Sequence, residues 1–557
     1  MERTTDVQVD TIEQRDIVIL CLLIFVFCLV GLMTLSHYGL TFDETWLLLA
    51  GERYLHFWAT FDSSLLDFSQ HHPADYRLPD HPRFDLRDNE PFPAVATTLS
   101  AGSCWLFFSR LGWLDPVDAH HLPVLLMGAG TLVVVYLLGR EAIGRRAAVF
   151  ATLALSLAPR FIAHSHFNIK DVPKTFFFSL AIWTFWRATT RRSWHWMVAA
   201  GVVFGLALGT RINAVLIPVI LVPWLAVCLW RDRSRPATRR WWTALLAYPL
   251  LAAAAWAFTS PLMVTAPLDT LGDYVAHWTW LGFGSVSLST WSPYALIYVT
   301  VVTPPFAFLL ATLGIVVGVR ELGEDPRWSR LLLLLWVAIP LLRTALPNAT
   351  NYDGIRQFLE FLPAFCLLGG LGAQRLLEAL EGTLHRCLPE GVAMAIIGCA
   401  FVPILIRIIQ IHPHELAYFN AFVGGLPGAQ KLNLPDATDY WGSSQRHGIA
   451  WLNTNAELGA SLYLGEGNIN MVKPVSNVWL RDDITLLQED TLDENVPTPV
   501  YVSHITRPVF YDTIDHYCDQ NMDPVHAVTV DGLSILKIYR LERSTWVEAL
   551  DRWKEDP

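Results

Sequence analysis

Long apolar runs separated by short polar segments are the dominant pattern along this chain. Each run reaches about 20 residues, the length of helix that crosses a hydrocarbon core about 30 Å thick. The pattern therefore predicts a polytopic α-helical membrane protein. Eleven spans are expected, near residues 17–36, 122–139, 147–163, 173–188, 196–210, 213–230, 241–259, 296–318, 330–346, 358–375 and 391–410.

The composition agrees with this pattern. Hydrophobic residues make up 53% of the 557 positions and charged residues only 16%, whereas a soluble domain carries about 25% charged residues. The first run, Ile17 to Ser36, is too long for the core of a signal peptide and lacks a small-residue cleavage site, so we interpret it as a retained span.

The charge is concentrated at the C-terminus. From Ile411 onward there are 21 acidic and 10 basic residues, which accounts for the whole net charge of −11. We therefore expect two domains, a transmembrane domain over 1–410 and a small α/β soluble domain over 411–557. Segments such as ASLYLG, TPVYVSHI and SILKIYRL have the β-branched and aromatic content of strands, and SSQRHGIAWLN is typical of a helix. Nothing in this acidic tail indicates nucleic-acid binding.

Arginine clusters predict the orientation. The segments at 139–146, 187–196 and 230–240 carry Arg residues at span ends, and such residues favour the cytoplasmic side. This places the N-terminus inside and the tail outside. A further apolar segment, 91–114, would reverse the later loops if it crossed the membrane. We expect it to lie along the outer surface or to be re-entrant, within a long outer loop over 41–121.

Two adjacent carboxylates follow the first span in the sequence TFDETW. Asp43 favours an N-terminal helix cap, since the residues after it form a plausible helix. The alternative is a carboxylate at the mouth of a membrane-embedded cavity, acting as general base on an acceptor hydroxyl, with Glu44 beside it. The local sequence leaves both interpretations open.

Charges at other outer span ends allow the same two interpretations. Lys170 and Asp171 precede the span at 173–188, as ordinary helix-start residues or as ligands of substrate and phosphate. Arg356 follows Tyr352 at the outer end of a later span and would pair with Glu360 or bind a phosphate through its planar donor fork.

Arg211 and the histidines complete the candidates. Arg211, between two apolar runs, is either a snorkelling side chain or a phosphate ligand. Histidines and aspartates between 65 and 87 match no sharp metal-ligand spacing, and a polar outer loop is the favoured interpretation. We expect no metal site, and a requirement for a divalent metal stays open.

The chain contains no GxxxxGK[ST] loop and no GxGxxG motif that opens a helix after a strand. Since the polar residues are predicted outside, a cytoplasmic nucleotide sugar does not fit as donor. A sugar carried on a membrane lipid does fit as the donor. The alternative is a transporter or flippase for a polar lipid or sugar, although such proteins usually place ionisable residues near mid-membrane. A third alternative is a non-catalytic sensor or assembly protein that works through its tail.

Taken together, these motifs resemble the GT-C glycosyltransferases. They are most similar to the dolichyl-phosphate-mannose protein mannosyltransferases and to the bacterial aminoarabinose transferases that modify lipid A. TFDETW stands where that branch has its Asp-Glu pair, and SLAPRFIAHSHFNIKDVPKTFFFSLAIWTFWRA and GLALGTRINAVLIP resemble two later blocks. Eleven spans is also the usual number in the family, and ELAYFNAFVGGLPGAQ is similar to a stretch after the last span of bacterial members.

The resemblance implies an activity and roles for residues. Asp43 would be the catalytic base of an inverting transfer from a polyprenyl-phosphate sugar to a hydroxyl acceptor on protein, lipid or glycan. Glu44, Lys170 and Asp171 would line the cavity, while Arg356, with Arg211 as a second candidate, would bind the donor phosphate. The bacterial resemblance also implies an inner-membrane protein whose active site faces the periplasm.

Overall fold

A computed structural model of the chain describes residues 13–66, 94–231, 237–283, 290–347, 349, 351–385, 387–488 and 491–555. Helices dominate the described part. They are α1 (Gln14–Thr34), α2 (Glu44–Thr60), α3 (Ala94–Cys104), α4 (Pro116–Ala142), α5 (Arg145–Ser156), α6 (Pro159–Phe167), α7 (Asp171–Thr190), α8 (Trp194–Leu208), α9 (Leu216–Arg231), α10 (Arg239–Thr259), α11 (Pro261–Thr265), α12 (Pro267–Phe283), α13 (Tyr294–Val302), α14 (Pro305–Arg320), α15 (Ser329–Ala345), α16 (Leu362–Leu384), α17 (Glu390–Ala400), α18 (Val402–Ile411), α19 (Gly425–Lys431), α20 (Gln445–Asn455), α21 (Glu466–Ile469), α22 (Ser476–Trp479), α23 (Thr513–Asn521) and α24 (Arg543–Glu555).

Every predicted span falls on helix, which confirms a polytopic helical membrane protein. Within the described residues, five helical segments are long and apolar enough to cross a membrane, and a sixth is added if a bent pair counts as one span. That pair is α5 and α6, which meet at 64°, so the predicted span at 147–163 is broken rather than straight. The total of eleven spans stays a prediction.

Helix α1 lies at the edge of the bundle and turns most of its apolar side chains outward. Its Asp16 is nevertheless fully buried, with Arg140 at 3.0 Å and Arg145 at 2.6 Å. Because a buried carboxylate is costly unless it is paired, these ion pairs fix one end of α1 against α4 and α5.

Close helix packing depends on small residues between α14 and α16. A Cβ atom on Gly314 would lie 1.7 Å from the carbonyl oxygen of Leu368, and one on Gly372 would lie 2.1 Å from that of Leu310. The two backbones touch only because glycine has no side chain, which is a common device in membrane bundles.

The tail contains a five-stranded mixed sheet. Its strands are β1 (Ser461–Tyr463), β2 (Thr485–Leu486), β3 (Val500–Ile505), β4 (His526–Val530) and β5 (Leu533–Leu541), in the order β2-β1-β3-β5-β4. Strands β1, β2 and β3 run parallel, while β5 is antiparallel to β3 and β4. Asp531 and Gly532, both with positive φ, form the turn between β4 and β5. Of the three segments predicted as strands, two contain β1 and β3 and the third overlaps β5, and the segment SSQRHGIAWLN, predicted as a helix, overlaps α20.

Three element ends meet where the sheet approaches the helices. These are the start of α2, the start of α7, and a 3₁₀ segment over Arg356–Phe361 that leads into α16. The segment predicted as surface-lying or re-entrant forms α3, followed by a π-helical turn over Trp105–Arg110. Its position relative to a membrane stays a prediction.

Candidate active site

Asp43 directly precedes α2, but its side chain makes no capping hydrogen bond there. Its carboxylate instead lies 3.1 Å from Nζ of Lys170 and 3.3 Å from Nη1 of Arg356. The side chain of Asp43 keeps 19% of its surface exposed, so one carboxylate is both clamped by two cations and open to an approaching molecule.

The carboxylate of Glu44 contacts only other parts of the protein in the described structure, unlike the partly exposed carboxylate of Asp43. Its Oε2 accepts hydrogen bonds from the backbone amide of Thr41 at 2.6 Å and from the Thr41 hydroxyl at 2.8 Å. Its Oε1 lies 2.7 Å from Nε2 of His121. Both oxygens of Glu44 are therefore engaged with its own turn and with α4, and this fixes the loop that carries Asp43.

Asp171 is the buried centre of the cluster. Arg211 donates to it at 2.8 Å, Lys174 lies at 3.3 Å, and the side-chain amide of Asn168 donates at 3.0 Å. Lys174 also lies 2.7 Å from Glu360. These contacts join the beginning of α7 to Arg211 and to the 3₁₀ segment before α16.

Arg356 is held in a fixed orientation. Its Nε donates to Asp353 at 2.9 Å, and its guanidinium lies over the rings of Trp441 (4.4 Å) and Tyr352 (5.2 Å). Asp353 in turn accepts a hydrogen bond from Arg507 at 2.7 Å. Trp441 and Arg507 belong to the tail, so the tail forms part of the wall of this site.

The structure thus brings six of the seven sequence candidates into one cluster: Asp43, Lys170, Asp171, Arg211, Tyr352 and Arg356. The seventh, Glu44, lies beside it. The histidines and aspartates between 67 and 87 lie outside the described residues. Among the residues that are described, no group of three His, Cys, Asp or Glu side chains could hold a metal ion.

Several members of the cluster were missed by the sequence analysis. Lys174 carries a usable signal, since it stands three residues after Asp171 and so lies on the same helix face. Asp353 stands three residues before Arg356 and is close enough in sequence to be found. Arg507 and Trp441 carry no local signal, because their contacts come from distant parts of the chain.

The cluster pairs carboxylates with cations. The carboxylates are Asp43, Asp171, Asp353 and Glu360, and the cations are Lys170, Lys174, Arg211, Arg356 and Arg507. Burial alone would raise the pKa of Asp43, but the charges of Lys170 and Arg356 outweigh burial and hold that pKa below its ordinary value. Asp43 is therefore ionised at neutral pH, as a base must be.

The sequence matches the family described as dolichyl-phosphate-mannose-protein mannosyltransferase over residues 115–264, a stretch that includes Lys170, Asp171 and Arg211. YkcB of Bacillus subtilis (strain 168), whose name ascribes to it a mannosyltransferase activity, is 30% identical over 124 residues. That match covers 22% of this chain and 16% of YkcB, so the chain matches about a sixth of the length of this curated relative.

Two solved structures are similar to this fold. ArnT from Cupriavidus metallidurans, in a crystal structure bound to undecaprenyl phosphate, is similar over 93% of this chain and 97% of its own, with a TM-score of 0.50 and 14% identity. The archaeal oligosaccharyltransferase AglB from Archaeoglobus fulgidus is similar over 90% of this chain and 70% of its own, with a TM-score of 0.47 and 14% identity. The likeness to ArnT confirms a GT-C-like fold. With the family match, it confirms the predicted resemblance to GT-C glycosyltransferases of the protein mannosyltransferase and ArnT branch.

Proposed function

We propose that this protein transfers a sugar from a polyprenyl-phosphate donor to a hydroxyl acceptor, with inversion of configuration, at the outer face of the membrane. The observation that carries the proposal is the pair of cations, Lys170 and Arg356, on the partly exposed carboxylate of Asp43. Phosphate ligands and a general base are the two groups that such a transfer needs, and here they are in direct contact.

In the proposed reaction, Asp43 accepts the proton of the acceptor hydroxyl as the oxygen attacks the anomeric carbon. The new bond joins that oxygen to the anomeric carbon, and the bond from the anomeric carbon to the phosphate oxygen breaks. The lipid phosphate leaves with the electron pair, and Lys170 and Arg356 stabilise its charge, with Arg211 behind them. Because attack and departure occur on opposite faces of the carbon, the configuration inverts.

The same contacts provide an order of events. A donor phosphate competes with Asp43 for Lys170 and Arg356, since both side chains are phosphate ligands by chemistry. As the phosphate takes up these charges, the lowered pKa of Asp43 rises towards its ordinary value, and Asp43 becomes a stronger base. Donor binding thus prepares the base for the acceptor.

The proposed orientation rests on the arginine clusters and on the position of the cluster around Asp43. The membrane domain comprises residues 1–410 and the outer domain residues 411–557, which contributes Trp441 and Arg507 to the wall of the site. A bacterial inner membrane, with site and outer domain facing the periplasm, fits the family resemblance. The acceptor is a hydroxyl on protein, lipid or glycan.

Sugar transfer by purified protein tests the proposal. Polyprenyl phosphates that carry different hexoses and pentoses, mannose among them, are supplied with membrane extract as acceptor. At least one donor is expected to lose its sugar to the acceptor. Arg356→Gln is expected to raise the donor KM about tenfold or more, because a charged hydrogen bond to phosphate is lost. Donor that moves between leaflets of a vesicle, with no sugar transferred, would instead establish the transporter.

A further inference from the structure

A half-open groove is lined by part of the segment ELAYFNAFVGGLPGAQ (415–430), which follows the last predicted span. Its other walls are the start of α14 and the junction of α17 and α18, and its volume is about 590 Å³. Ligand sites in proteins commonly have about 300–1,000 Å³. The groove shares no lining residue with the cluster around Asp43, so it is a separate feature of the molecule.

The groove begins at a break between two helices. Helix α14 starts at the second of two consecutive prolines, Pro304 and Pro305. In a continuous helix, the amides of these two positions would pair with the carbonyls of Thr300 and Val301, but proline has no N–H. Asn420 replaces them, because its side-chain amide donates to Thr300 at 2.6 Å and its backbone amide donates to Val301 at 2.8 Å. These bonds fix the tail segment against the break and give the groove a rigid wall.

Two opposite charges, Arg407 and Asp531, lie in the lining. Arg407 is four residues before the end of α18, about 6 Å along the helix, and so lies near the predicted outer end of the last span. Asp531 is in the turn between β4 and β5, and its Oδ2 accepts a hydrogen bond from Nη2 of Arg407 at 2.5 Å. The two side chains keep 26% and 23% of their surface exposed, and within the described part of the chain neither has another hydrogen-bond or ion-pair partner. The other guanidinium donors and Oδ1 of Asp531 are therefore available to a molecule in the groove.

The helices that border the groove present apolar side chains outward. Leu309 on α14 and Leu405 and Ile409 on α18 are exposed, as expected for a surface that contacts the membrane. Phe306 and Phe401 continue this apolar surface inside the groove. A hydrocarbon chain of the bilayer therefore has an apolar path into the groove.

The two charges indicate which lipid headgroup fits. One positive and one negative side chain complement a zwitterion, in which a phosphate pairs with Arg407 and an ammonium pairs with Asp531. A primary ammonium has three N–H donors for the carboxylate, whereas a quaternary ammonium has none. A headgroup of net negative charge would leave Asp531 without a cation and would lie beside the tail, which has 21 acidic and 10 basic residues from Ile411 onward.

We propose that this groove binds a phospholipid with an ethanolamine headgroup. The phosphate pairs with Arg407, the ammonium pairs with Asp531, and one acyl chain lies in the groove. The direct contact between the two side chains opens at small cost, because an exposed ion pair contributes little stability. Since Arg407 belongs to the membrane domain and Asp531 to the tail, the bound lipid would hold the tail sheet on the helix bundle.

Lipid binding to the purified full-length protein tests this site independently of sugar transfer. Native mass spectrometry is carried out with phosphatidylethanolamine, phosphatidylcholine and phosphatidylglycerol that carry the same acyl chains. Wild type is expected to bind phosphatidylethanolamine about tenfold more tightly than the other two, because only this headgroup forms charged hydrogen bonds with both side chains. Ala421→Trp, at an exposed position of the lining, should weaken this binding, because the indole occupies the space of the acyl chain.

Two substitutions separate the roles of the charges. Arg407→Gln should weaken the binding of all three phospholipids, because each of them has a phosphate. Asp531→Asn should weaken only phosphatidylethanolamine and so remove its advantage over phosphatidylcholine. Asparagine tolerates the φ of +54° at this position, so the turn is kept. An ion pair that only joined the tail to α18 would not produce these two different patterns.

Arg375→Gln is the matched control. Arg375 is a partly exposed arginine that pairs with Glu321, at the end of α14 opposite to the groove. This variant should bind the three phospholipids as wild type does.

Three results would overturn the proposal. Equal binding of the three phospholipids by wild type would leave only the unselective lipid that surrounds a membrane protein. Wild-type binding by both Arg407→Gln and Asp531→Asn would leave the ion pair as a contact between tail and bundle. Displacement of phosphatidylethanolamine by a polyprenyl phosphate would assign the groove to the hydrocarbon of the donor. If Arg407→Gln does not fold, Asp531→Asn and Ala421→Trp decide.

Discussion

Asp43 shows how far a single residue can be interpreted from sequence. An aspartate before a helix is as typical of a cap as of a base, and its neighbours in sequence do not separate the two. The structure separates them through Lys170 and Arg356, which are remote in the chain and lie against the carboxylate in place of a capping contact. The base role itself remains our proposal.

The lowered pKa of Asp43 leads to a pH prediction. The ordinary pKa of an aspartate is about 4. Because the pKa of Asp43 is lower than that, Asp43 stays ionised to a lower pH than an ordinary aspartate, and activity is lost only as the pH falls through the lowered pKa. Lys170→Met removes one of the two cations, so the pKa of Asp43 should rise towards its ordinary value. The acidic limb of the profile of kcat/KM against pH should then shift to higher pH by the same amount.

Lys170→Arg is the control for this shift, because it keeps the positive charge. Its acidic limb should stay at the wild-type position even if its overall rate is lower. An acidic limb that is identical in Lys170→Met and in wild type would mean that Asp43 is not the group whose titration limits activity.

Lys174 leads to a stability prediction. Its ammonium is fully buried between Asp171 and Glu360, so Lys174→Met leaves two buried carboxylates without their shared cation. Loss of one partner of a buried ion pair costs about 3–5 kcal/mol. Thermal unfolding in detergent should show a clearly lower Tm for Lys174→Met, and Lys174→Met/Glu360→Gln should recover part of the loss. A single variant as stable as wild type would contradict this account.

At the scale of elements, hydrophobic periodicity and length located the helices well. Runs of about 20 apolar residues become helices, because a lipid environment requires every backbone amide and carbonyl to be paired internally. The short tail strands were also found from their β-branched and aromatic content. The order in which these strands pair was not predicted. The pairing of strands such as β3 and β5 depends on register and burial, which no short stretch of sequence encodes.

The bend between α5 and α6 is a feature that hydrophobic periodicity and run length do not predict. A single apolar run predicted one span over 147–163, but the chain turns by 64° before Pro159. The residue before a proline disfavours the helical conformation, so Pro159 is the local signal. The turn sets the start of α6, from which Arg160 reaches its aromatic environment and His164 reaches Tyr440.

The contact between Arg507 and Asp353 leads to a prediction about the tail. Arg507, just after β3, binds Asp353, which binds Arg356. Arg507→Gln should therefore lower kcat about 10- to 100-fold by loosening Arg356, since small misplacements of a catalytic constellation cost about that much. Steady-state transfer kinetics measure this effect, and the Tm of the protein should change little.

Arg540→Gln is a matched control in the same sheet, because Arg540 forms its ion pairs with Glu457 and Glu542 away from the site. It should transfer sugar at the wild-type rate. If Arg507→Gln and Arg540→Gln are both as active as wild type, the tail does not position Arg356.

At the scale of the whole molecule, the charge pattern predicts which side of the membrane each part faces. The arginine clusters at span ends predict that residues near 240 lie in the cytoplasm, and the predicted number of spans then puts residues near 544 outside. In a background without the eight native cysteines, Ser544→Cys should react with a membrane-impermeant maleimide in intact cells. Arg240→Cys should react only after the cells are made permeable.

Both positions are exposed in the structure, so a lack of labelling in intact cells reports the membrane and not burial. The reverse labelling pattern would place the tail in the cytoplasm, where a lipid-linked donor on the outer leaflet could not reach the cluster around Asp43.

The candidate active-site cluster is assembled from segments along the whole chain. Its members come from the starts of α2 and α7, from Arg211 before α9, from the 3₁₀ segment before α16, and from the tail. The sequence could supply the candidates, because charged residues at outer span ends are unusual enough to stand out. It could not supply their partners, because these are chosen by packing between distant segments.

The most direct test of the central claim is the effect of Asp43→Asn on each kinetic step, measured with purified protein and a donor that it accepts. A missing general base should lower kcat by about 10²–10⁴-fold. Binding of the donor should stay as tight or become tighter, because a neutral side chain no longer competes with the phosphate for Lys170 and Arg356. Asp325→Asn, at a buried carboxylate outside the cluster that caps the start of α15, should leave both quantities unchanged. An Asp43→Asn protein with the kcat of wild type would contradict the account and place the base elsewhere.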